Sequence, residues 1–157
     1  MRHGILTKGA KLEIGHFPTA GDPTSGEPTS YAEVFNIQRM PSLGGEVEQV
    51  ETTTLADAQH TYINGLIEYG QLEFTLLYDN DDATSNYRVL RALQESGEIV
   101  RCRVELGDKK PTGTHGTQFK FDAMLNASID EQEPNAAITF TCRAMLQSEI
   151  DLVRNPD

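Results

Sequence analysis

Apolar and polar residues alternate along much of this chain, in the manner of strands that have one buried face. The segments with this pattern, clearest in the last four, are 5–14, 31–40, 46–54, 71–79, 98–106, 117–127 and 136–146. Alternation with a period of two places every second side chain on the same face of a sheet. The pattern therefore predicts a mainly β fold, a sandwich or barrel of two packed antiparallel sheets that each have one wet face.

The same alternation assigns side chains to the core. The residues predicted to face inward are Leu72, Phe74, Leu76, Tyr78, Val100, Cys102, Val104, Leu106, Phe119, Phe121, Ala123, Leu125, Ile138, Phe140, Cys142, Ala144 and Leu146. In the weaker segment 31–40, Phe35 and Ile37 are expected to share one face. The charged residues Arg101, Arg103 and Glu105 alternate with core positions and are expected to face solvent.

One helix is predicted, over residues 83–96, and it should flank the sheets. Tyr87, Leu90 and Leu93 recur at helical spacing. Asp82 or Thr84 is the expected N-terminal cap, and Gly97 has the position of a C-terminal cap.

Three segments do not follow either periodicity, within what is expected to be a single domain of residues 1–157. Residues 16–30 are rich in Pro, Gly, Ser and Thr and predict a long loop or arm, and 151–157 predict a C-terminal tail. Residues 55–70 predict an irregular loop or a short helical turn. This stretch has four large apolar residues (Tyr62, Ile63, Leu66 and Ile67), which either fold back on the core or meet another chain.

The net charge of −11 is unevenly distributed. Residues 46–82 contain no Lys or Arg, and their acidic residues are Glu46, Glu48, Glu51, Asp57, Glu68, Glu73, Asp79, Asp81 and Asp82. Such a segment cannot grip DNA, because affinity for phosphates comes from Lys and Arg. It either lines a surface past which DNA moves or is a solvated acidic face that keeps the protein soluble.

No combination of residues predicts catalysis, a metal site or a cofactor. The four histidines (His3, His16, His60 and His115) lie in loops or near the terminus without ligand spacing. The acidic run 79–82 lacks the glycine and the closing glutamate of a calcium loop. Cys102 and Cys142 lie in apolar strand segments, as inert buried thiols do. The sequence predicts no enzyme, no catalytic residue and no membrane-spanning segment.

The order of these features resembles a known family. The segment GEVEQVETTTLADAQHTYINGLIEYGQLEFTLLYD is similar to the signature region of lambda-like major tail tube proteins of siphophages, the long-tailed bacteriophages. The helix YRVLRALQESGE and the strand IVRCRVEL continue the resemblance. The segments GTQFKFDAMLNASID and AAITFTCRAMLQSEIDL resemble the two closing strands of that family. The similarity covers roughly residues 31–152.

The resemblance implies a structural virion protein of the phage tail, made in the host bacterial cytoplasm. It implies two packed sheets and a helix, assembled as hexameric rings that stack through an extended loop and the terminal segments into a channel for DNA. The partners implied are other copies of the chain, the tape measure protein and DNA in the lumen, and terminator and distal tail proteins at the ends. The chain ends near Asp157, so the immunoglobulin-like C-terminal domain of some members is not expected.

Two sets of candidate site residues follow from the apolar stretch, the acidic stretch and the resemblance. The candidate subunit or ring interface consists of Phe17, Leu55, Tyr62, Ile63, Leu66, Ile67 and Tyr69, and the candidate acidic lumen of Glu46, Glu48, Glu51 and Glu73. The alternatives are a tail terminator, a head–tail joining protein or a type VI secretion tube protein with the same architecture, and a small β-sandwich binding module. The absence of Trp weighs against an aromatic binding cleft.

Overall fold

The computed structural model describes residues 9–43, 46–68 and 72–156, with the backbone alone for 46–48 and 65–68. This part of the chain forms ten strands and one α-helix. They are β1 (Lys11–Gly15), β2 (Ala32–Val34), β3 (Ile37–Arg39), β4 (Glu46–Glu51), β5 (Tyr62–Glu68), β6 (Leu72–Leu77), α1 (Asn86–Ser96), β7 (Val100–Glu105), β8 (Gln118–Ile129), β9 (Thr139–Leu146) and β10 (Asp151–Val153).

The strands form two antiparallel sheets of unequal size. The larger has eight strands, in the order β2-β1-β7-β8-β9-β6-β3, with β10 paired to the first residues of β8. The smaller is the hairpin β4–β5. The prediction of a mainly β fold with two antiparallel sheets and one flanking helix is confirmed.

The larger sheet rolls up until its two outermost strands almost meet. β2 and β3 lie at opposite edges of the sheet, yet only Phe35 and Asn36 separate them in sequence. Three Cα–Cα steps of 3.8 Å keep Val34 and Ile37 within about 11 Å of each other. No ladder joins β2 to β3 in the described ranges, so the roll is an open one and no closed barrel is seen.

The core lies inside this roll. Its buried apolar side chains are Leu12, Ile14, Val34, Leu72, Phe74, Leu76, Leu90, Leu93, Val100, Cys102, Val104, Phe121, Ala123, Leu125, Ala127, Phe140, Cys142 and Ala144. The inward alternation predicted for β6, β7, β8 and β9 is confirmed, although Leu106, Phe119 and Leu146 are only partly buried. Ile138 is exposed because it precedes β9.

The helix is confirmed but begins three residues later than predicted. The Asp82 carboxylate accepts hydrogen bonds from the Thr84 N–H at 2.8 Å and from the Thr84 hydroxyl at 2.6 Å, so residues 82–84 form a turn before the helix. Ser85 is the N-cap residue, and Gly97 adopts a φ of 66° and donates its N–H to the Leu93 carbonyl at 3.0 Å. Gly97 is thus the predicted C-terminal cap.

Two predictions of local structure are wrong. Segment 31–40 is divided into β2 and β3 by Asn36, whose φ of 67° reverses the local geometry, and Phe35 is exposed while Ile37 is partly buried. Segment 55–70 is an irregular loop only as far as residue 61. Tyr62–Glu68 forms β5, because β4 supplies the backbone partners of an antiparallel ladder.

The loop 16–31 packs against the larger sheet of its own chain. The loop passes close to the backbone of β1 at Gly15, since a Cβ atom there would lie 2.7 Å from the Pro28 Cβ and 2.8 Å from the Tyr31 ring. Phe17, which belongs to this loop, is buried, with 3% of its surface exposed. The loop therefore covers the outer face of β1 and β7, which the alternation had predicted to be wet.

The described part of the chain contains no helix that is both long enough and apolar enough to cross a membrane.

Candidate functional site

The most exposed apolar surface among the described residues lies on the β4–β5 hairpin. Tyr62 and Ile63 are 55% and 56% exposed, Val50 is 46% exposed, and the Leu55 side chain at the tip is fully exposed. Large apolar side chains on a soluble domain are unremarkable when they occur singly, but a contiguous group marks an interaction surface.

The hairpin exposes apolar side chains on both faces, although Tyr62 shares its face with the polar side chains of Gln49, Glu51 and Asn64. Val50 is paired with Ile63, so these two side chains lie on one face, and the next pair, Glu51 with Tyr62, lies on the other. Strands of a sheet that packs on a core bury one face, and this hairpin buries neither among the described side chains. An isolated two-stranded hairpin is marginally stable in water.

Hydrogen bonds give the tip of the hairpin a defined shape. Thr52 donates its N–H to the Thr61 carbonyl at 2.8 Å, and the Thr61 N–H donates to the Thr53 hydroxyl at 2.8 Å. The Asp57 carboxylate accepts the Thr54 N–H at 2.7 Å, and the Asp57 N–H donates to the Thr54 carbonyl at 3.0 Å. These bonds close a turn that holds Leu55 outward.

The structure separates the residues of the predicted interface. Leu55, Tyr62 and Ile63 share the hairpin and are exposed, whereas Phe17 is buried inside the chain and is not available to a neighbour in this conformation. Leu66 and Ile67 belong to β5, but their side chains lie outside the described set, as does Tyr69 entirely. Val50 belongs with the exposed group and was missed because its strand was predicted to have a buried face.

The predicted acidic residues lie on two different elements. Glu46, Glu48 and Glu51 are in β4, and only the side chain of Glu51 is described. It faces the His60 ring at 2.5 Å. Glu73 is in β6 on the outer face of the larger sheet, where its carboxylate accepts the Arg143 Nε–H at 2.9 Å. The four acids do not form one cluster in a single chain.

A second group of charged residues was missed because it looked like a solvated strand face. Arg101 donates from Nε to the Asp122 carboxylate at 2.5 Å and from Nη1 to Glu27 of the loop at 2.8 Å. Its guanidinium carbon lies 5.6 Å from the centroid of the Phe17 ring. Burial would lower the pKa of Arg101, but Asp122 and Glu27 outweigh it and the net effect raises that pKa. Asp122 thus holds Arg101 from the neighbouring strand β8, and the contacts of Arg101 with Glu27 and Phe17 fasten the loop 16–31 to the sheet.

The two thiols have no exposed, electropositive setting. Cys102 and Cys142 are both free and fully enclosed by the core. Burial raises the pKa of Cys142 to about 12 and raises that of Cys102 further still. A reactive cysteine needs a lowered pKa and access to solvent, and these two have neither. Among the described residues, no three His, Cys, Asp or Glu side chains are grouped as metal ligands.

Comparison with known proteins identifies the family of this chain. The family described as "Phage tail tube protein, TTP" matches residues 8–148. None of the curated proteins matches the sequence. A chain from the cryo-EM structure of the anti-feeding prophage baseplate, symmetrised six-fold, superposes with a TM-score of 0.61 over 98% of both chains at 12% identity. That likeness shows a shared fold. The family match spans most of the sequence, so the chain belongs to the phage tail tube protein family and is a structural component of the virion tail.

Proposed function

We propose that this chain is the major tail tube subunit, which forms hexameric rings that stack into the channel for DNA during genome ejection. The observation that supports this most is the β4–β5 hairpin, which exposes apolar side chains on both faces and at its tip. A ring above or below would cover these side chains. The six-fold symmetry of the prophage baseplate to which the fold is similar supports a hexamer.

The edges of the larger sheet support lateral assembly. β2 and β3 end the sheet on its two sides, and no further strand pairs with their outer edges in the described ranges. Exposed sheet edges are templates for pairing with other chains, and ring closure removes them. Neighbouring subunits would join through such edges into a continuous barrel around the lumen.

The proposed role is structural and not enzymatic. The partners would be other copies of the chain in the tube, DNA and the tape measure protein in the lumen, and terminator and distal tail proteins at its ends. A tail terminator or head–tail joining protein is the second candidate. It would form single rings, and an apolar hairpin that needs a cover on both faces favours stacking instead.

Negative-stain electron microscopy of the purified protein tests the proposal. The major tube subunit should form tubes of many rings at high concentration, whereas a terminator should form isolated rings. A protein that stays monomeric at every concentration, with or without phage tail extract to nucleate it, contradicts both roles.

We further propose that acids of β4 and Glu73 face the lumen, where a negative wall would let DNA slide without adsorbing. Glu73 contributes less negative charge to this wall than a free carboxylate would, because it is paired with Arg143. Phage that carry Glu46→Lys, Glu48→Lys and Glu51→Lys together should assemble tails but eject DNA several-fold more slowly in an in vitro ejection assay.

The matched control changes the same amount of charge elsewhere. Glu95, Glu131 and Glu133 are exposed and lie outside the hairpin, and their triple lysine variant should eject DNA at the wild-type rate. Equal ejection rates for the two triple variants would place the β4 acids away from the lumen.

A further inference from the structure

We propose that the tip of the hairpin, led by Leu55, seats in a pocket beside the root of the hairpin in a second copy of the chain. This inference rests on the proposed function, since it specifies how stacked copies would hold one another. The family match does not say which part of a neighbouring copy receives the hairpin tip. The inference assigns that role to the pocket.

The pocket lies between the end of β3 and the turn after β7. It has a volume of about 590 Å³. Its apolar lining consists of Ala10, Met40, Pro41, Leu43, Val104 and Leu106. Such a floor offers the branched side chain of a leucine the burial that it lacks at the tip.

The charges at the pocket and at the tip are complementary. Arg39 lines the pocket and is exposed, and its guanidinium has no hydrogen-bond or ion-pair partner among the described residues. Asp57 follows Leu55 by two residues, and its carboxylate is held by the Thr54 N–H without an ion pair in the described ranges. The acid of the pocket, Asp108, is already bonded to the N–H and hydroxyl of Thr117 at 2.7 and 2.6 Å. Seating Leu55 in the pocket would bring the Asp57 carboxylate of one copy close to the Arg39 guanidinium of the other.

The occupant must be another copy, because the tip cannot reach the pocket of its own chain. Leu43 lines the pocket and lies just before β4, so the pocket is next to the hairpin root. The six residues of β4 place the tip about 20 Å away from that root. A contact between tip and root joins two different surfaces, so it is heterologous and repeats without limit along a stack.

A charge exchange tests the pairing in a tube assembly assay. Asp57→Arg and Arg39→Asp should each raise the critical concentration for tube formation by roughly tenfold, since each places like charges together. The double variant restores opposite charges, and its critical concentration should return to within about threefold of the wild type. Both positions are exposed, so the core should be preserved. Asp57→Asn, which can still accept the Thr54 N–H but has no charge, is the control for the shape of the tip. A double variant as defective as the worse single variant would overturn the pairing.

Disulfide trapping then separates this inference from the proposed function. Ala56→Cys at the tip and Gln38→Cys at the pocket should cross-link between copies in oxidised tubes and give a ladder of covalent oligomers. The two native cysteines are buried and should not interfere. Pairing Ala56→Cys with Glu131→Cys, an exposed position away from the pocket, should give no ladder. Tubes without a ladder from the first pair would overturn the docking site alone, whereas a wild-type protein without tubes would overturn the proposed function.

Discussion

Tyr62→Lys is expected to give a folded protein that no longer forms tubes. Tyr62 exposes 55% of its surface on the hairpin face opposite Val50 and Ile63, and nothing in the described part of its own chain covers it. In a stacked assembly the Tyr62 ring would be buried against a neighbouring copy. Burying an ammonium group there costs several kcal/mol of desolvation even beside Glu51, and each ring would repeat that cost in every subunit. Polymerisation should therefore be lost at all accessible concentrations.

The fold should survive this change. Tyr62 lies outside the core, and substitutions at such positions usually alter the free energy of unfolding by about 0.5 kcal/mol or less. Lysine is chosen over aspartate because position 62 is paired with Glu51 across the hairpin. An opposite charge there supports the ladder, whereas a second acid would weaken it.

Sedimentation and electron microscopy measure the assembly, and circular dichroism with urea denaturation measures the fold. Tyr62→Phe retains the apolar ring and is the matched control, which should form tubes like the wild type. Tubes of normal length from Tyr62→Lys would show that this face of the hairpin remains in water, and the assignment of the hairpin as an assembly surface would then fail.

The core of the fold could be predicted from the sequence because each central strand of the larger sheet has one buried face. The alternation around Phe74, Cys102, Phe121 and Phe140 follows from burial on that side alone. The Gly97 cap was also predictable, since a left-handed residue after a helix favours glycine. These features depend on local pattern, and the pattern was sufficient.

The hairpin could not be predicted because neither of its faces is covered by its own chain. Without a buried side, Val50, Tyr62 and Ile63 show no consistent alternation. A register shift between Val47 and Gln49 disturbs the pairing further. Because neither face packs on the core of its own chain, the sequence shows no strand pattern there. The same lack of cover supports the proposed contact with other copies. The apolar residues of 55–70 are evident in the sequence, but the strand conformation of Tyr62–Glu68 is not.

The covered face of β1 and β7 could not be predicted for a different reason. Whether Arg101 and Arg103 face water depends on the path of the loop 16–31, and a loop rich in Pro and Gly has no periodicity from which a path can be derived. Glu27 and Phe17, which contact Arg101, are 74 or more residues away in sequence. The alternation predicted the side of the sheet on which Arg101 lies but not the loop above it.

Arg101→Leu should destabilise the fold by about 3 kcal/mol, the lower part of the range for removing one partner of a buried ion pair. Asp122 is 6% exposed, and the only hydrogen bonds of its carboxylate in the described part of the chain come from Arg101. Without the guanidinium, a buried carboxylate is left uncompensated, and Glu27 of the loop loses its bond to the sheet. Urea denaturation of monomeric protein in the Tyr62→Lys background measures the change without a contribution from assembly.

The partner substitution should be less costly, and this asymmetry is the sharper part of the prediction. Asp122→Ala leaves Arg101 its 2.8 Å bond to Glu27 and its position over Phe17, so the cation is not orphaned. Its cost should be about 1–2 kcal/mol. The double variant Arg101→Leu with Asp122→Ala removes the orphaned carboxylate and should be at least about 1 kcal/mol more stable than Arg101→Leu alone. Strict additivity of the two single changes would mean that Arg101 and Asp122 have no coupling energy, and that no buried carboxylate is orphaned by Arg101→Leu.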